Sequence, residues 1–275
     1  MLSAVTLPIA TPLFFYVGIS CAGAQLVLTL IFAYALGDGP WRAEPAFTAH
    51  QVVCIPLLLW LTYTGWSHWL ASDIGASPAE RALGVHPVGY EMSQVVLAMM
   101  LFWDIPSGLM IKVLREPLML AHHIGMALVA LLGFVPLFSH YATFFFGVIE
   151  LSGIVLCFVD VFHPKHREYC DWLATMPKLS KLNDLGRGIF FLLYMVLRAV
   201  LFPYVIFTSV VADYLSVLQL SQADPKVLRG VPLPLLTLTP AAGVLFAFLQ
   251  VYWGWLLIKQ VRKLLAPPAK DGKAL

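Results

Sequence analysis

At 275 residues the chain is 60% hydrophobic and 12% charged, with a mean hydropathy of +0.83. A soluble globular domain carries about a quarter charged residues, so this composition excludes one and selects a polytopic membrane protein. Seventeen Lys and Arg against 15 Asp and Glu leave a net charge of +2, too little to draw nucleic acid.

Seven apolar runs follow along the chain, each near the ~20 residues that cross hydrocarbon. The first is about Leu7 to Leu36, with no Lys or Arg before it. It reads as a retained span rather than a cleaved leader, although the small residues around Cys21–Ala24 would permit cleavage. Gly37-Asp38-Gly39-Pro40 ends it with strong turn chemistry. The second runs from about Phe47 to Leu70, with His50 near its start. A polar connector holding Asp73, Glu80 and Arg81 leads to the third, about Tyr90 to Val113. There Asp104 and Pro106 predict a kink beside a carboxylate. Pro117 suits the first position of a helix, so the fourth span is about Leu118 to Leu137, stopped by Pro136 and Ser139. The fifth is about Tyr141 to Phe162, with Asp160 expected as a solvated charge at its end. His163 and His166 beyond it read as a solvated pair. The connector Lys165–Arg187 has helix-like apolar spacing and suggests an interfacial segment broken at Pro177. The sixth span is about Gly188 to Tyr214 and the seventh about Pro234 to Leu257.

Seven crossings put the termini on opposite sides. Thirteen of the 17 basic residues then fall on one face, from Arg42 to Lys273, against Arg81, Lys226 and Arg229 on the other, with Arg198 inside. The positive-inside rule makes the rich face cytosolic, with the C-terminus there and the N-terminus lumenal. Cys21, Cys54, Cys157 and Cys170 show no zinc or disulfide spacing, and three sit in apolar runs as packing residues.

Topology converts position into depth at ~1.5 Å per residue. It predicts a cytosolic-side cluster of His50, Asp104, His122 and His123, and a midplane cluster of Glu150, Ser152, Arg198 and Gln250, with Tyr252 and Trp253 at similar depth. A carboxylate and a guanidinium inside hydrocarbon each need a partner, so Glu150 and Arg198 are expected to pair, as a packing lock or a headgroup site. Adjacent histidines point about 100° apart on a helix, so His122 and His123 face different neighbours. An imidazole there can take a proton from an amine or hydroxyl, or carry an acyl group, with Asp104 fixing its tautomer. The alternative is two polar residues within reach of interfacial water. A metal would need three or four converging ligands, and none is expected.

In order, Thr48-Ala49-His50, Asp104 at a helix end, His122–His123, Glu150-Leu151-Ser152, Arg198 with Pro203 after it, and Gln250-Val251-Tyr252-Trp253 resemble the TLC-domain family. That family includes the translocating-chain-associating membrane protein, the ceramide synthases and smaller membrane-lipid proteins. The resemblance covers about Phe47 to Lys263, six spans. The further aspartates of the ceramide synthases have no counterpart around Ile154, and the retained Glu-x-Ser pattern is closest to the smaller members. The resemblance implies an all-α bundle, one peripheral helix (1–40) plus a six-helix TLC domain (47–263) around a polar-lined, lipid-sized cavity, then a short cytosolic tail (264–275). It implies a membrane-lipid-handling protein of the endoplasmic reticulum that binds fatty-acyl or sphingoid chains. Two alternatives stand beside it. One is an acyltransferase with acyl-CoA as co-substrate and His122 or His123 as base or acyl carrier. The other is a structural subunit of a larger membrane complex, with protein partners unknown. A retinal-type receptor is disfavoured, because Lys259 sits at the exit of the last span.

Overall fold

The computed structural model describes residues 11–72, 76–135 and 137–265. The expected start of the first span before residue 11, Asp73, Pro136 and the tail beyond residue 265 lie outside them. The protein is an all-α, multi-pass membrane protein: six helices are long and apolar enough to cross a bilayer, and a shorter apolar helix joins them. Proline opens six of the described helices, α1 (Pro12–Leu30), α2 (Pro45–Ser72), α3 (Pro78–Leu83), α4 (Pro87–Met99), α6 (Pro117–Leu132) and α10 (Pro177–Leu193). At that position its missing N–H removes no helical bond, and its fixed φ is already helical.

Helix α1 lies outside the bundle against α2 (Pro45–Ser72) and α4. Gln25 ties it inward, accepting from Trp103 Nε1 at 3.0 Å and donating to the Ala46 carbonyl at 2.9 Å. Helix α4 continues through a π-helical turn, Met100–Asp104, into α5 (Ile105–Met110). The irregularity falls where Pro106 predicts it. The sixteen-residue α6 is shorter than the expected span. Past its end, Ser139 accepts the His86 N–H at 3.0 Å and donates to the Gly84 carbonyl at 2.9 Å, pinning the joint to the start of α4.

The fifth span is broken, not continuous. Helix α7 (Ser139–Phe145) stops, a 3₁₀ turn covers Val148–Glu150, and α8 (Leu151–Val161) resumes. The reason lies at Gly147 and Gly65 of α2, where a Cβ on either would come within 2.5 Å of the other's Cα. The two backbones touch there, which only paired glycines permit.

The connector before the sixth span is broken at Pro177 as expected: α9 (Arg167–Ala174) ends before it and α10 starts on it. What departs from expectation is that α10 runs on into the sixth span. Helix α10 runs through π-helical Tyr194–Leu201, α11 (Phe202–Val205) and π-helical Ile206–Val210 into α12 (Val211–Ala223), a helical run of 47 residues. Widened turns on both sides of Pro203 absorb the hydrogen bond that proline cannot make. Helix α13 (Leu233–Leu265) closes the bundle. Outward apolar side chains such as Tyr34, Val200, Leu245 and Phe248 are exposed, as a lipid-facing surface requires, while Trp103, Tyr141, Phe144 and Phe134 are fully enclosed.

His166 is not solvated. It is 1% exposed, stacks on Phe47 at 3.9 Å between ring centroids, and pairs with Glu44. With the Thr48–Tyr169 hydroxyl contact of 2.5 Å, it docks α9 (Arg167–Ala174) onto the start of α2. Asp160 is also engaged, with Lys165 at 3.1 Å and Gln51 at 3.2 Å. Burial holds the His166 imidazole below its ordinary range, against the pull of Glu44. Burial, then the Lys165 charge, does the same to His163. A histidine whose pKa is lower docked than undocked binds its proton more readily undocked. Docking is therefore strongest above about pH 6.5 and weakens as pH falls below it. Hydrogen exchange over residues 163–174, corrected for intrinsic rates, should show protection lost between about pH 7.5 and 5. A His166→Phe variant should lose most of that dependence; an unchanged pH response in it would count against the assignment.

Candidate functional site

Asp104 projects from the widened π turn of the third span, a geometry found mostly at functional positions. It bridges two imidazoles: Oδ1 is 2.9 Å from His50 Nε2 and Oδ2 is 2.6 Å from His123 Nδ1. With both contacting nitrogens carrying protons toward the carboxylate, each ring keeps its other nitrogen as an acceptor. His50 also stacks on Trp103 at 4.7 Å, and its Nδ1 lies 3.9 Å from Cys54 Sγ one turn along α2.

His122 takes no part in this bridge. One residue along α6 turns it away from Asp104, and its ring meets the edges of Phe246 at 5.3 Å and Trp253 at 5.2 Å. The expected four-member cytosolic cluster therefore divides: His50, Asp104 and His123 stay together, while His122 joins the deeper group. That group contains the expected ion pair. Arg198 donates from one terminal nitrogen to Glu150 Oε2 at 2.9 Å and from Nε to Ser152 Oγ at 2.8 Å. Here too both charged residues come from irregular backbone, Glu150 at the break before α8 and Arg198 inside the long π segment. Gln250 Oε1 accepts from the Tyr194 hydroxyl at 2.9 Å.

His122, Glu150, Arg198 and Gln250 line one end of a partly open cavity, and mostly apolar side chains line the rest. Along α6 the wall runs from His122 through Met126 to Val129, roughly 10 Å at the helical rise. Phe138, Phe145, Phe146, Phe202 and Phe246 crowd this apolar part, and Gly243 and Thr239 of α13 close it. The space open to water is only ≈ 40 Å³. That holds one or a few waters, not the lipid-sized cavity the resemblance implies. The five rings occupy the volume a chain would need. Phe246 also rests on α6: a Cβ at Gly125 would come within 2.8 Å of its ring.

Two buried polar atoms at the polar end have no hydrogen-bond partner among the described residues, His122 Nδ1 and Gln250 Nε2. One is a ring nitrogen and the other an amide donor, and an unmet buried polar atom costs about 1–3 kcal/mol. Trp253 touches the site through His122. Tyr252 is not brought to it: it is 46% exposed and packs near Trp255. Among the described residues no group of three or more His, Cys, Asp or Glu could hold a metal ion.

Sequence reasoning missed Tyr194, Cys54 and Phe246. Tyr194 stands one turn before Arg198 and Cys54 one turn after His50, and helical spacing is the signal that could have found both. It also missed the charge pair at the opposite end of the bundle. Asp213 of α12 receives two bonds of 2.6 Å from Arg81 of α3 and one from the Tyr141 hydroxyl.

A family model described as the TLC domain matches residues 45–259. No curated protein and no solved structure matches the chain.

Proposed function

The chain belongs to the TLC-domain family, and on that premise we propose that it binds a membrane lipid between α6, α7 with the 3₁₀ turn after it, the long sixth span and α13. The lipid's polar group meets His122, Glu150, Arg198 and Gln250, and its acyl chain replaces the phenylalanine rings below them. The observation that carries this reading is the pair of unpartnered atoms, His122 Nδ1 and Gln250 Nε2, at the head of an otherwise apolar cavity. A hydroxyl or amide of a glycerolipid or sphingoid chain would satisfy both, accepting from Gln250 and donating to a free ring nitrogen. Entry is lateral, by movement of Phe246 off Gly125. A cytosolic C-terminus and residence in the endoplasmic reticulum belong to this proposal, from the charge asymmetry and the family resemblance.

The test is mass spectrometry of lipid retained by protein purified in mild detergent, with Gly243→Phe as the blocking variant. A Cβ at Gly243 already meets Ile206 Cδ1 at 2.7 Å, so a phenyl group there projects into the apolar end. The wild type should retain lipid near one per chain and the variant several-fold less at unchanged helicity. Equal retention in a folded variant would sink the proposal.

A second reading is favoured by the bridge of His123, Asp104 and His50 beside His122. In it the site transfers an acyl group from acyl-CoA to a lipid amine or hydroxyl. His122 accepts the nucleophile's proton as its nitrogen or oxygen attacks the thioester carbonyl, and the CoA thiolate leaves. Arg198 carries positive charge near the developing oxyanion.

A further inference from the structure

A second cavity lies at the other end of the bundle, away from the face rich in Lys and Arg. His68 near the end of α2, His86 at the N-cap of α4 and His140 in the first turn of α7 line it, with Thr143 and the first turn of α4. Its open space is ≈ 190 Å³, against ≈ 40 Å³ for the central cavity. That is far more than one water needs. The histidines are graded in depth: His68 is exposed at the mouth, His86 is half-buried, and His140 is 1% exposed at the floor. The His86 and His140 rings are 4.6 Å apart, and Trp69 and Tyr141 back His140 at 5.7 and 4.9 Å.

The chemistry of this lining is that of an anion site. Imidazoles supply N–H donors. The first turn of a helix supplies unsatisfied N–H groups and the positive end of its dipole. Among the described residues no carboxylate lines the cavity. Of the charged groups on neighbouring elements, Arg81 and Asp213 pair with each other and Arg229 donates to the Leu83 carbonyl at 3.3 Å; Glu80 caps Ser77 at 2.8 and 2.9 Å but also faces His86, whose Nε2 lies 3.4 Å from the Glu80 carbonyl. A metal ion is not the occupant, since among the described residues no such ligand group forms. The mouth lies at the end of a span whose outward side chains include Tyr63, Trp66 and Leu70. Aromatic residues of this kind mark the level of lipid headgroups.

We propose that this cavity is a binding site for a tetrahedral oxyanion, the phosphate of a lipid headgroup or its free counterpart. It is separate from the central cavity and does not rest on the function proposed for it.

The test uses the full chain with ¹³Cε1-labelled histidine in phosphatidylcholine nanodiscs. Sulfate probes the free anion, and nanodiscs doped with phosphatidic acid probe the headgroup. Resonances of His68, His86 and His140, assigned by single His→Gln variants, should shift with at least one probe. A response to phosphatidic acid alone identifies the lipid as the source, and a response to sulfate shows that the free anion suffices. Silence of all three resonances to both probes overturns the proposal. His68→Gln, at the exposed mouth, leaves packing intact and should weaken the response several-fold; an undiminished response also overturns it.

Discussion

Glu150→Ala should lower the stability of the folded protein by about 3–5 kcal/mol, the cost of leaving one member of a buried ion pair alone. The guanidinium of Arg198 would keep only its bond to Ser152, and the few waters the cavity can hold replace a carboxylate poorly. The mirror variant, Arg198→Ala, should be milder. A carboxyl without a partner can discharge by taking up a proton, whereas a guanidinium cannot. Removing both charges together, as Glu150→Leu with Arg198→Met, should restore most of the loss, because apolar packing replaces both desolvation costs. Unfolding in mixed micelles measures all four proteins. A Glu150→Ala protein within about 1 kcal/mol of wild type would mean that the pair is hydrated and not the interior lock described here.

Asp104→Asn separates binding from chemistry. The asparagine keeps the shape of the carboxylate but offers an amide donor to one of the two ring nitrogens that now face an acceptor. One histidine must then change tautomer. In the acyl-transfer reading this lowers turnover by well under the roughly 10⁴ of an aspartate that holds the base itself, because the base, His122, does not contact Asp104. Retained lipid should stay near the wild-type level, since Asp104 does not line the central cavity. His122→Ala should remove both, because His122 does line it. Acyl transfer from a thioester, measured beside lipid retention in these proteins, decides between the readings. Transfer undiminished by Asp104→Asn removes the bridge from the mechanism, and no transfer in the wild type leaves lipid binding alone.

Much of this was legible before any coordinates. The spans follow from apolar run length, and proline positions mark most helix starts. Pairing Glu150 with Arg198 needed only depth, which is a count of residues from a membrane face multiplied by a fixed rise. What depth omits is direction around the helix axis. His50, Asp104, His122 and His123 share a level, yet only three of them meet, and His122 turns to the deeper cavity. Tyr252 shares a level with the site and faces outward. His166 reads as solvated beside Pro164 because the aromatic face of Phe47 that covers it comes from a residue more than a hundred positions earlier in the chain. The size of the central cavity depends on how five phenylalanine rings from four parts of the chain pack together, which no local pattern records.

The amino-acid order by itself determined that this is a helical, multi-pass membrane protein and which buried charges need one another. These are properties of solvation, and each residue's cost of transfer out of water is the same wherever its neighbours lie. Tertiary structure alone decided which imidazole faces the carboxylate and which the cavity. That choice depends on rotation about the helix axes, and π turns at Asp104 and Arg198 together with the Gly65–Gly147 contact reset that rotation through packing between distant segments.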